Sequence, residues 1–200
     1  MSTVPFALLR HAPTVWNASH RLQGLTDTPL SAEGEAAART WRLPPPADGW
    51  TRLSSPLQRA RRTAELVQPS MPVTVCSALR EMSFGVWEGH TIAELRAGIG
   101  EEFLAAERKG LDFQPPGGES PRHVMGRIGR WADGIAAAGQ SVVAVSHKAA
   151  IRALLALATG WDMTGKPPVK LDWRSVHFFV ALGGGKVVVE RLNVPLESVP

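Results

Sequence analysis

VVAVSHKAAIR, residues 142–152, carries an apolar run through a serine and a histidine into an alanine-rich helical pattern. Ser141 to Val145 reads as a buried strand, and Ala149 to Thr159 as the apolar helix that follows it. LLRHAPTVWN, residues 8–17, repeats the arrangement near the start of the chain: a short buried strand from Phe6 to Leu9 ends in Arg10 and His11, ahead of a proline turn. Burying a charged or polar side chain is costly unless it is partnered. Two strands that each deliver a histidine therefore point to one shared sheet edge, and α/β sheets bind their ligands at the ends of such strands.

The rest of the chain supplies the alternation such a sheet requires. Ser31 reads as the N-cap of a helix to about Trp41, PPPADG at 44–49 breaks the pattern, and Thr51 to Ser54 is a second strand. Ser55 and Pro56 read as the N-cap and first helical residue of a helix running to about Gln68. Pro72 to Cys76 is a further strand candidate and Leu79 to Gly89 is loop. Thr91 to Gly98 and Glu101 to Lys109 read as short helices and Pro121 to Ala138 as a longer one. VHFFVALGGGKVVVERLNV, residues 176–194, reads as two strands joined by a glycine turn. This order predicts a single domain over residues 1–200. Its class is α/β, a three-layer α/β/α sandwich with a mostly parallel central sheet and helices on both faces. Residues 89–120 are expected to cap the site and bear on substrate specificity.

Composition narrows the function classes. Of 200 residues 44% are hydrophobic and 20% charged, the balance of a chain that folds by itself. A single cysteine, Cys76, excludes an internal disulfide framework and a site built on several thiolates, and it makes a reducing cytoplasm the expected location. No segment approaches the roughly 20 apolar residues that span a bilayer, so no membrane partner is expected. The net charge of +4 is carried by 17 arginines and 5 lysines, without a run of five basic residues or aromatics interleaved among them. Nucleic acid is thus not an expected partner, and a small anionic substrate is.

LSSPLQRARRTAEL, residues 53–66, sets a third strand end against a helix start, with Arg59 closest to it and Arg62 one turn further on. A helix N-terminus offers free N–H groups and a positive dipole end, and an arginine beside it completes an anion site. Arg61 reads as part of a solvated face stabilised by Glu65. Arg10 and Arg59 then act as planar forks for phosphate oxygens around two histidines that face each other across a cationic hollow. A neutral imidazole is a competent nucleophile toward phosphorus, and guanidinium groups neutralise the non-bridging oxygens, so no metal is required. Neither HExxH nor HxH occurs, and the GxSxG of a serine hydrolase is absent.

RHAPTVWN, RLQGLTDTPLSAEG, SSPLQRARRTA, LREMSFGVWEG, PPGGES and VVAVSHKAAIRALL occur in that order between residues 6 and 158. Together they resemble the histidine phosphatase superfamily, also called the phosphoglycerate mutase-like family. The resemblance implies the corresponding fold and a metal-independent phosphomonoester hydrolase with no cofactor, acting on a small phosphorylated substrate, and it allows a homodimer. His11 would become phosphohistidine, with Arg10, Arg59 and His147 completing the phosphate pocket and Asn17 a polar contact. Gln23 and Gly24 would border the substrate. Glu81 would protonate the leaving oxygen and later draw a proton from water, a task for which Glu88, read as a loop brace, is the competitor. Ala12 and Lys148 depart from the family pattern, which has glycine after the first histidine and glycine or alanine after the second. Two other readings stay open, a phosphoglycerate mutase and a non-catalytic phospholigand binder. Mutases of the family carry a longer insert with paired arginines and a tyrosine, whereas ERKGLDFQPPGGES is short and the chain has no tyrosine, which favours hydrolysis. His20, His90, His123 and His177 join no arrangement. Arg96, Arg108 and Lys109 of the cap could meet an anionic substrate or face water.

Overall fold

β5 (Val142–Ser146) is buried over its whole length because strands flank it on both sides and helices cover both of its faces. The computed structural model describes residues 3–198. In chain order these form β1 (Val4–Arg10), α1 (Val15–Ala18), α2 (Ala32–Thr40), β2 (Trp41–Arg42), β3 (Thr51–Ser54), α3 (Gln58–Val67) and β4 (Val73–Val75). They continue through α4 (Ile92–Glu107), α5 (Pro121–Ala138), α6 (Lys148–Thr159), β6 (Ser175–Gly183), β7 (Lys186–Pro195) and β8 (Glu197–Ser198), with β5 between the last two long helices. The main sheet has the order β4-β3-β5-β1-β6-β7. Its first four strands run parallel, while β6 and β7 add an antiparallel edge.

Successive side chains of a strand point to opposite faces, and β1 divides accordingly. Phe6 and Leu8 join the core under α5 and α6, with Ile128, Ile151 and Leu154. Ala7 and Leu9 join the core under α2 and α3, with Ala38, Ala60 and Leu66. These are the three layers expected from the alternation. Phe6 is held hardest, stacked on Phe179 at 5.7 Å between ring centroids and edge-on to Trp131 at 5.3 Å.

Register places the chemistry. Arg10 pairs with Ser146 across β1 and β5, and Ser54 with Val145 across β3 and β5. The three strands therefore end together, and the residues that follow them, His11, Ser55 and His147, emerge at one edge.

Some boundaries differ from the sequence reading. α3 begins at Gln58 with Leu57 as its N-cap, not at Ser55 and Pro56. The Ser55 amide continues the sheet by donating to the Val145 carbonyl, its hydroxyl is taken by His147, and the Gln58 amide is capped instead by Asp27 at 2.7 Å. α3 ends where the buried Arg52 of β3 donates to the carbonyls of Ala64, Gln68 and Met71, a cation at the negative end of the helix dipole. The two short helices read over residues 91–109 are both present; they meet at Gly100, whose φ of 37° and ψ of −110° are not helical and suit only glycine, and α4 denotes the pair. β2 and β8 form a small ribbon that the sequence pattern did not reveal. The cap has its own cluster of Trp87, Leu95 and Phe103, with Phe113 5.6 Å from Trp87. Among the described residues no helix is long and apolar enough to cross a membrane.

Candidate active site

His11 leaves β1 with its amide on the Ser146 carbonyl, 3.0 Å away. Its Nδ1 lies 2.8 Å from the Ala12 carbonyl. A carbonyl only accepts, so Nδ1 carries the proton and Nε2 keeps its lone pair. The turn is fixed from α3: the Ala12 amide donates to Thr63 Oγ1 at 2.9 Å, and that hydroxyl donates to the Arg59 carbonyl at 2.7 Å. The residue that departs from the family pattern at position 12 thus acts through its backbone.

His147 has no exposed surface, its Nε2 is 2.7 Å from Ser55 Oγ, and its Nδ1 is buried without a partner among the described residues. The two imidazole centroids are 5.2 Å apart with the rings tilted by 54°. That is contact distance for rings, so an anion does not fit between them. The hollow lies to one side, where Arg10, His11, Arg59 and Glu81 line a common wall. Burial, then the Arg10 and Arg59 charges, holds the His11 pKa well below 6.5. Burial also dominates at His147, followed by His11, Arg59 and Arg10, again lowering its pKa well below 6.5. Both rings are neutral at pH 7.

Arg59 is almost fully buried and gives Nη1 to the Thr26 carbonyl at 2.9 Å and Nη2 to the Gly24 carbonyl at 2.7 Å. A guanidinium has five donors, and its Nε, like that of Arg10, is buried with no partner among the described residues. An unsatisfied buried polar group costs about 1–3 kcal/mol. Two of them, Arg10 Nε and Arg59 Nε, belong to residues that line the hollow, where an oxyanion would satisfy them, while His147 contacts the His11 ring without lining the hollow.

Glu81 reaches the same wall from the loop before the cap. Its Oε1 accepts the Met82 and Ala150 amides at 2.9 and 3.1 Å, and its Oε2 accepts the Ala149 amide at 3.2 Å. The carboxyl is therefore pinned to the first turn of α6. Its loop is clamped by two residues that sequence reasoning missed. Arg127 of α5 donates to the Ala78 and Glu81 carbonyls at 2.6 and 2.9 Å. Glu119, from PPGGES, bonds Arg80 at 2.7 Å and the Ser83 amide at 3.1 Å. Ser55 and Thr63 were missed too. The signal for Ser55 was its place after a strand ending level with the two histidines; nothing local marked the others.

The remaining sequence candidates also border the hollow. Asn17 lines the cavity, but its Oδ1 is engaged by the Thr14 amide and hydroxyl. Gln23 is braced by the Thr28 hydroxyl at 2.6 Å. Gly24 has φ 54°, and a Cβ there would lie 2.0 Å from Glu88 Oε1. Glu88 itself accepts the amides of Leu25, Thr26 and Phe84 and the Thr26 hydroxyl. In this arrangement it braces the loop. The cavity, about 820 Å³, extends from this wall under the cap to Phe113 and along α6 to Lys148 and Arg152. Among the described residues no group of three or more His, Cys, Asp or Glu side chains is placed to hold a metal ion.

Comparison with known proteins places the chain in a family. A 2,3-bisphosphoglycerate-dependent phosphoglycerate mutase 2 from Gloeobacter violaceus is 35% identical over 161 residues, 74% of this chain and 72% of the relative. A mycobacterial glucosyl-3-phosphoglycerate phosphatase superposes with a TM-score of 0.77 at 28% identity, over 98% of this chain and 100% of the other. A phosphoserine phosphatase mutant from Entamoeba histolytica, in complex with phosphoserine, gives 0.75 at 26% identity, over 95% and 96%. The model of the histidine phosphatase superfamily, branch 1, matches residues 6–195, and the chain belongs to that superfamily.

Proposed function

We propose that the chain is a metal-independent phosphomonoesterase that works through a phosphohistidine on His11. The observation that carries this reading is the contact of His11 Nδ1 with the Ala12 carbonyl, which fixes the proton there and leaves the Nε2 lone pair free in a cavity also lined by Arg10 and Arg59, whose Nε donors have no partner among the described residues. Nε2 attacks phosphorus as the bond to the alcohol oxygen breaks, and Glu81 gives its proton to that oxygen. The Glu81 carboxylate then takes a proton from water, whose oxygen attacks phosphorus as the P–Nε2 bond breaks, which releases inorganic phosphate and returns His11 to the neutral state. Arg10 and Arg59 balance the charge spread over the equatorial oxygens. His147 adds a polar contact, and Asn17, Gln23 and Gly24 border the substrate.

The phosphatase names of solved relatives and the short cap support hydrolysis. The mutase name of the curated relative supports a second reading, phosphoglycerate mutase. Assaying 2- and 3-phosphoglycerate for both free phosphate and interconversion separates them. Phosphate release, lost in a His11→Ala variant, is the expected result. Interconversion without release overturns the hydrolase reading, and turnover that survives in His11→Ala overturns the role of His11.

A further inference from the structure

Lys148 and Arg152 line the cavity one turn apart on α6, beyond the phosphate pocket. The arginines of the cap are spoken for: Arg96 pairs with Glu107 at 2.9 Å and Arg108 with Glu101 at 4.0 Å. Arg21, also on the cavity wall, lies 3.6 Å from Glu94. Among the described residues Lys148 and Arg152 have neither an ion pair nor a hydrogen bond. Each instead lies over an indole face, Lys148 Nζ 5.5 Å from the Trp173 centroid and Arg152 Cζ 5.1 Å from that of Trp161. Cation–π contact fixes where the charged heads sit without neutralising them.

Their placement works against the helix. Lys148 is the first residue of α6, where the positive end of the dipole disfavours a cation. Arg152, four residues on, adds the like-charge repulsion of an i,i+4 pair. Arg10 stands close enough to lower the Lys148 pKa further, after burial, the largest cause, and ahead of Arg152. Glu81, the carboxylate that offsets this, is already held by three amides. A local conflict of this kind, at the wall of a cavity, marks a place where a bound group supplies the missing charge.

We propose that Lys148 and Arg152 form a second anion subsite, so that the preferred substrate is a phosphomonoester whose alcohol half carries a further oxyanion, a carboxylate or a second phosphate. This rests on the reading of the His11 pocket as the phosphoryl site. The subsite belongs to this chain's own departure from the family pattern at position 148 and to its partner one turn along.

The test is phosphate release from two substrate pairs that differ in the second anion, 3-phosphoglycerate against glycerol 3-phosphate and fructose 1,6-bisphosphate against fructose 6-phosphate. In at least one pair the anion-bearing member is expected to have a kcat/KM about tenfold or more above its partner, and the pair identifies carboxylate or phosphate. A Lys148→Gln, Arg152→Gln double variant brings that ratio close to one, Lys148→Arg keeps it, and Arg108→Gln on the cap surface leaves it unchanged. Because a ratio is read within one protein sample, partial misfolding does not imitate the effect. Ratios near one in the wild type, or a preference that survives in the double variant, overturn the subsite. If none of the four esters releases phosphate, the hydrolase reading fails, and calorimetric binding decides the subsite alone. Affinity for 3-phosphoglycerate that falls about tenfold in the double variant, while that for glycerol 3-phosphate does not, supports it. Equal losses for both ligands, or none, overturn it.

Discussion

A histidine that attacks phosphorus has to be neutral, and burial together with Arg10 and Arg59 keeps His11 in that state to well below pH 6.5. The sign follows directly: the reactive form is the unprotonated one, so lowering its pKa extends activity toward acid. Corrected for ionisation of the substrate, kcat/KM at about pH 5.5 is expected to remain close to its value at neutrality. An acid limb centred near the ordinary imidazole pKa contradicts the burial argument. Glu81 is tested by the leaving group. Glu81→Gln should cut phosphoryl transfer from an alkyl phosphate by roughly 10²–10⁴-fold, the usual contribution of a positioned acid. 4-Nitrophenolate leaves without a proton, so the same variant should still give a rapid burst of it, followed by slow turnover once water must be activated. Loss of the burst along with the alkyl reaction would show that Glu81 holds the pocket rather than protonates the alcohol.

The loops at the strand ends are organised by a few close approaches, and Gly24 makes one of them. Its positive φ and the 2.0 Å between a would-be Cβ and Glu88 Oε1 leave no room for alanine. Gly24→Ala should cost about 1–3 kcal/mol in thermal or urea unfolding and lower kcat/KM, because the Gly24 carbonyl anchors Arg59. An unchanged melting temperature contradicts this. Elements of this kind show where the sequence was readable. β1 and β5 announce themselves through apolar runs that end in polar residues, and both histidines follow from where those runs stop, while Arg59 follows from the step from the short strand β3 into a helix. Glu81 and the QG pair came only with the family resemblance, since a loop without periodicity carries no local instruction. Arg127 and Glu119 were out of reach because their partners at positions 78–83 lie far along the chain, brought near only when α5 packs. At Ser55 the serine–proline pattern of a helix start was overridden by the hydroxyl's bond to His147. The contact between the two rings likewise depends on side-chain packing that no spacing encodes.

Over the whole molecule, buried neutral histidines set the response of stability to acid. His177 of β6 is fully buried, with its pKa brought down to about 4 by burial against the opposing pull of Asp172. Unfolded, it would titrate near 6.5, so between pH 6.5 and 4 the unfolded chain binds more protons and stability falls as pH falls. This group alone accounts for about 3 kcal/mol across that window, and His11 and His147 add in the same direction. The melting temperature should therefore drop steeply below about pH 6, and a His177→Gln variant, which keeps an acceptor for the Asn193 amide, should show a shallower drop. A melting temperature flat from pH 6.5 to 4 contradicts the assignment. Under the proposed function, the fold, the cavity and this balance of charge serve one event, the transfer of a phosphoryl group to Nε2 of His11. Its most direct measurement is rapid quenching in alkali of the enzyme with 4-nitrophenyl phosphate radiolabelled at phosphorus, followed by peptide mapping. The account predicts acid-labile label on the peptide containing His11, accumulating in Glu81→Gln and missing from His11→Ala. Label on the His147 peptide, or label of equal yield in His11→Ala, contradicts it.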